Sequence, residues 1–236
     1  MSDSTPSFAV DVKDLLEAGC HFGHQAQRWN PKIASYVYTK RNGVHIFDLF
    51  QTAKKLEAAA QFVYSLAKEG KTVIFIGSKR QAQDIVREEA VTAGAPYITI
   101  RWLGGTITNW DQVKKSIDKL NRLKQDKMDG KLDVYTKRER VLIDKDISRL
   151  ERFFGGISNI KGIPDAIVVV DTKKEDNAVK EAITKKVPVV GIVDSNSDPE
   201  RIDYAIPAND DAVRSITLIV HTLANAYKEG RSAWQK

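Results

Sequence analysis

Between Thr72 and Ile206 the chain alternates short, unbroken apolar runs with longer stretches whose apolar residues recur every three or four positions. The runs are TVIFI (72–76), YITI (97–100), AIVVVD (166–171), VVGIVD (189–194) and a short YAI (204–206). Each is rich in β-branched residues and shows no polar alternation, the pattern of strands covered on both faces. Helical periodicity follows most of them: a helix to Ala93, another after Asp171, and a last one from about Asp210 to Glu229. Strands alternating with helices in this way predict a parallel sheet between two helical layers. Five such strands fit an α/β fold of flavodoxin-like, doubly wound, three-layer α/β/α order.

Two further regions flank or interrupt that alternation. Ahead of it, Asp11 to Ala18 predicts a short aspartate-capped helix stopped by Gly19. SYVYT and VHIF around KRNG predict a β-hairpin with an Asn-Gly turn, and Asp48 opens a long amphipathic helix that ends at Gly70. Between the second and third sheet strands lies a segment with no strand signal. Asn109 and Thr136 open N-x-x-Q and T-x-x-E capping patterns, each followed by a narrow apolar seam: Val113, Ile117, Leu120, Leu123, then Ile143, Ile147, Leu150, Phe154. These predict an antiparallel coiled-coil hairpin projecting from the sheet domain. The expected division is therefore 1–106 plus 155–236 for the α/β domain, with its N-terminal helix and β-hairpin, and 107–154 for the inserted hairpin.

Charge narrows the choice of partners. The chain has 236 residues, with 37 Lys and Arg against 31 Asp and Glu, a formal charge of +6. The inserted hairpin alone carries 13 basic and 9 acidic residues from Asn109 to Phe154, hence +4. This balance favours a polyanionic partner. One cysteine allows no internal disulfide and fits a reducing compartment. The amino terminus lacks the features of a secretory or organelle signal, and no window has the roughly twenty apolar residues a membrane span requires. The expectation is a soluble, cytoplasmic protein with no membrane partner.

Candidate chemistry is thin for an enzyme. The turn after TVIFI, GSKRQ, has one glycine where a dinucleotide fingerprint needs three, and it lacks the P-loop spacing. It does offer Ser78, Lys79 and Arg80 at an expected helix amino terminus, which suits a phosphate of any kind. No nucleophile elbow is present, and Cys20 is expected to be a small core residue. No cofactor is required. His21 and His24 in HFGHQAQRWNP are separated by glycine and lack the further ligands of a local zinc site. Asp194 and Asp210, at the ends of adjacent strands, could join His24 around a divalent ion, zinc or magnesium. Basic residues cluster in three loops or turns, two of them carrying tryptophan: Arg28, Trp29 and Lys32; Lys40 and Arg41; and RWLGGTITNW, with Arg101, Trp102, Asn109 and Trp110, followed by Lys114 and Lys115. With Lys79 and Arg80 these are the candidate RNA contacts. Two readings stand on the residues alone: a non-enzymatic RNA-binding component, or a nucleotide- or metal-dependent enzyme of the flavodoxin-like group.

Long blocks then separate them. HFGHQAQRWNPKIASYVYTKRNGVHIFDLFQT, FIGSKRQA, RWLGGTITNW, PDAIVVVDTKKEDNAVKEA, VDSNSDP and IPANDDAVRS closely resemble the small-subunit ribosomal protein two (S-two) family in its bacterial form, in order from about Asp11 to Gly230. The resemblance implies a flavodoxin-like domain with an inserted coiled-coil hairpin. It also implies a place on the small ribosomal subunit, bound to its ribosomal RNA, beside the messenger-binding protein one, which the family helps to hold.

Overall fold

The computed structural model describes residues 6–235; Met1–Thr5 and Lys236, inside the expected domain limits, lie outside the described residues. The five apolar runs form β4 (Val73–Ile76), β5 (Tyr97–Ile98), β6 (Ala166–Val169), β7 (Val189–Val193) and β8 (Tyr204–Pro207). All pairings are parallel, and the order β5-β4-β6-β7-β8 is that of a flavodoxin-like sheet. The period of two along each strand sorts its side chains between two cores. Val73 and Phe75 face α2 (Leu49–Lys68), α3 (Gln83–Ala93) and α7 (Val213–Trp234); Ile74 and Ile76 face α6 (Asp176–Lys185).

The helix α7 starts three residues later than the sequence implies, because Asn209 Oδ1 accepts from the amides of Asp211 and Ala212 and holds that stretch in a turn ahead of the helix. It also runs past Gly230, which serves as a contact and not a stop. A Cβ there would lie 2.5 Å from the Tyr64 carbonyl of α2.

At the amino end, α1 (Val12–Glu17) is capped by the Asp11 carboxylate, and β2 (Val37–Arg41) and β3 (Val44–Phe47) form the expected hairpin. One strand went unforeseen. β1 (Phe22–Gln25), within HFGHQ, pairs antiparallel with β3 and completes a three-stranded sheet. Its four residues carry neither alternation nor β-branching, so nothing local marks them.

The interrupting segment folds as α4 (Trp110–Met128) and α5 (Lys137–Phe154), a helical hairpin crossed by ion pairs Lys119–Asp146, Lys124–Glu151 and Lys127–Asp144. Thr136 and Glu139 form the expected capping box, whereas the Asn109 side chain caps nothing. The base of this arm is less separate than its sequence implies. Ile107, Trp110, Val113, Ile117 and Leu120, with Leu150 and Phe154, belong to the same buried cluster as Ile74, Ile76 and Ile167 of the sheet. A division at residue 107 cuts through that core, since Thr106 and Ile107 are both buried. Beyond Leu120 and before Leu150, neither helix buries a residue.

A carboxylate cluster at the strand ends and a basic outer surface

Parallel strands bring all their carboxyl ends to one edge. There the loop after β4 supplies Lys79, that after β6 Asp171, that after β7 Asp194, and that after β8 Asp210 and Asp211. β1 crosses this edge and adds His24. Its amide donates to Asp194 Oδ1 (3.1 Å) and Ser195 Oγ (2.7 Å), and its ring Nδ1 lies 2.9 Å from Asp194 Oδ1. His24, Asp194 and Asp210 each present a ligand atom, all within 4.8 Å of one another. The sequence-based trio is therefore assembled, with His24 and Asp194 alone 170 residues apart in the chain.

The electrostatics of the cluster are unusual. Asp194 and Asp210 are buried, yet Asp210 Oδ2 has no hydrogen-bond partner. Burial, together with the charges of Asp171 and Asp194, pushes the Asp210 carboxyl up to about 7. The hydrogen bond to Asp194 raises the His24 imidazole above its ordinary value, against the pull of burial. An orphaned buried carboxylate oxygen beside an imidazole fits a divalent cation chemically. Asp210 does not open a helix, as its position before an apolar run implies; the helix begins at Val213.

The crevice where the strand order reverses, between β4 and β6, is the usual ligand position in such sheets. Here the protein's own groups occupy it. The Ser78 amide donates to Glu175 Oε1, Lys174 Nζ donates to the Ser78 carbonyl, and Lys79 turns inward to Asp171, Asp210 and Asp211. The GSKRQ turn is thus not a phosphate cradle. The helix α3 starts only at Gln83, and Lys79 is an internal ion-pair partner, removed from the outer basic surface.

The remaining candidates divide by exposure. Arg28, Lys40, Arg41, Arg80, Arg101, Asn109, Lys114 and Lys115 are exposed. Trp29 is partly open and stacks on His45 at 4.8 Å. Lys40 lies directly across from His45 in the hairpin, so Trp29 and Lys40 share one face, whereas Arg41, the next residue along the strand, points to the other. Lys32 is half-committed, held by Asp198 (3.0 Å) and Glu200 (2.6 Å). Trp102 and Trp110 are corrections: both are buried core residues, unavailable for stacking on a base.

Trp102 also reveals a residue that sequence reasoning missed. Glu181 of α6 accepts from Trp102 Nε1 and the Gly105 amide at one oxygen. At the other it accepts from the Ile107 and Thr108 amides and the Thr108 hydroxyl, all at 2.8–3.0 Å. This single carboxylate shapes the loop that leads into the arm. Its only sequence signal is an acid among the buried positions of α6, which helices carry too often to be diagnostic.

The fold and site together define the class: a flavodoxin-like α/β domain with its ligand crevice filled by its own side chains, a basic outer surface and a helical arm. The family model for Ribosomal protein S2 matches residues 15–230. The chain belongs to the ribosomal protein S2 family, whose members are structural components of the small ribosomal subunit.

Proposed function

We propose that this chain binds small-subunit ribosomal RNA through phosphate and sugar contacts from Arg28, Lys40, Arg41, Arg80, Arg101, Lys114 and Lys115, with Trp29 beside the first of these. In the same role it holds neighbouring ribosomal proteins, including the messenger-binding protein one, and so supports the start of translation in the cytoplasm. Supporting this reading is the Trp29–His45 stack, which fixes a partly exposed aromatic plane on the face of Lys40, next in the chain to Arg28. The exposed apolar side chains of Leu16 in α1 and Phe22 in β1 offer a surface for a protein neighbour.

On this reading the chain is a binding component and not an enzyme. His24, Asp194 and Asp210 hold one divalent ion, zinc or magnesium, in a structural role. A donor set of one imidazole and two carboxylates suits zinc better than magnesium. Elemental analysis of protein purified without chelator should find about one ion per chain, lost on changing both aspartates to alanine.

The RNA reading is tested by salt-dependent affinity for subunit RNA. Arg28→Ala, Arg80→Ala, Arg101→Ala and Lys114→Ala should each weaken binding and reduce the log–log salt slope by about one. Lys79→Met should leave the slope unchanged, because its ammonium is already engaged. Unchanged slopes in all four of the first group would refute the assignment.

A further inference from the structure

Lys79 lies among three carboxylates from two loops, with only 12% of its side chain exposed. Its Nζ is 2.6 Å from Asp210 Oδ1, 2.6 Å from Asp211 Oδ1 and 3.3 Å from Asp171 Oδ2. Carboxylate oxygens converging on one point are the donor set of a hard divalent ion, and here an ammonium holds the centre. Asp171 is fixed for this task. It sits at φ 64°, its Oδ1 accepts from the Lys174 amide at 2.9 Å, and its Oδ2 is left to face Lys79. Asp210 is shared: Oδ1 meets the ammonium, while the buried Oδ2 has no partner.

Counting charge shows what the lysine does. Fully ionised, Asp171, Asp194, Asp210 and Asp211 would give −4; Lys79 would bring this to −3 with His24 neutral, and one divalent ion beside His24 to −1. Without Lys79 the ion-free cluster would hold −4 at a largely buried edge, an arrangement that unpaired carboxylates cannot sustain.

The geometry points to Lys79 as a tethered cation: its ammonium fills a second cation position, between Asp171, Asp210 and Asp211, and lets the strand ends close before any divalent ion is bound. A divalent ion can take that position only when the lysine is removed. The separateness of the two positions rests on the reading of His24, Asp194 and Asp210 as an ion site; the counter-ion role does not.

The test compares full-length wild type with Lys79→Met, both stripped with chelator, by thermal unfolding and by manganese stoichiometry. In chelator the variant should unfold about 10 °C below wild type. Excess manganese should recover most of that loss, with one more ion bound per chain than in wild type. Adding Asp171→Asn to the variant should restore much of the midpoint without any ion, and asparagine tolerates the left-handed conformation at that position. If Lys79→Met does not fold in chelator, refolding with manganese present should yield cooperative protein. The proposal is overturned by an unchanged midpoint in chelator, or by a loss that neither manganese nor Asp171→Asn repairs. A wild type that binds no ion beside a variant that binds one would sustain the role of Lys79 and remove the His24 site.

Discussion

Glu181 shows how much a single side chain can organise. Burial pushes its carboxyl upward, but the Trp102 N–H and the Thr108, Gly105 and Ile107 amides outweigh this and hold it below the ordinary glutamate value. A depressed carboxylate contributes stability that is present above the unfolded value and lost as pH falls through the folded one. Glu181→Ala should therefore cost about 2 kcal/mol in denaturant titration at neutral pH, and the deficit against wild type should shrink as pH falls below the ordinary glutamate value of 4.5. Asp210 has the opposite sign. Its raised carboxyl contributes stability that is complete below its unfolded value of 3.8 and lost as pH rises through about 7. In chelator, the unfolding midpoint should drop as pH passes about 7, and added zinc should abolish the drop; a flat profile in chelator would contradict the assignment. Neither behaviour was legible in the sequence. Composition marks Lys79, Trp102 and Trp110 as basic or aromatic loop residues, but which way each side chain turns depends on partners more than seventy positions away.

Elements were easier to foresee than side chains. The five sheet strands, the long α2 helix, the hairpin turn and the Thr136 capping box all follow from patterns confined to a few adjacent residues. The arm was foreseen as two helices, while its attachment was not. Its seam looks uniform from Val113 to Leu123, yet burial ends at Leu120, where the sheet and α6 cease to cover it. The arm is thus two things, a base that helps form the second core and a distal part held by ion pairs and a half-buried seam. Exposed ion pairs contribute little, so replacing residues 122–148 with a short Gly/Ser linker should leave one cooperative thermal transition near that of wild type. Replacing 107–154 should instead yield aggregating protein, because it strips Ile107, Trp110 and Ile117 from the face of Ile74 and Ile76. Equal behaviour of the two deletions, read by calorimetry, would show that the arm is one unit.

At the scale of the molecule, strand order and layer count were accessible because a right-handed crossover and two-sided burial leave few alternatives. The expected trio of His24, Asp194 and Asp210 already linked the amino-terminal region to the far strand ends, but the backbone bonds that make the attachment were not accessible. The Asn30 amide donates to the Ser195 carbonyl at 2.7 Å, the Asn209 amide to the Cys20 carbonyl at 3.0 Å, and the His24 amide to Asp194 and Ser195. These attachments have a consequence in time. A chain made from its amino end completes β1, β2 and β3 long before the ribosome has polymerised the residues on which they rest. The amino-terminal sheet must then wait, unanchored, until β7 and β8 have emerged, since non-local closure cannot precede its partner. Nascent chains stalled before Asp194 should be cut by protease between His21 and Phe47, whereas chains stalled with β8 and α7 fully outside the tunnel should resist. The loops that follow β7 and β8 thus set the moment at which the amino-terminal sheet becomes structured.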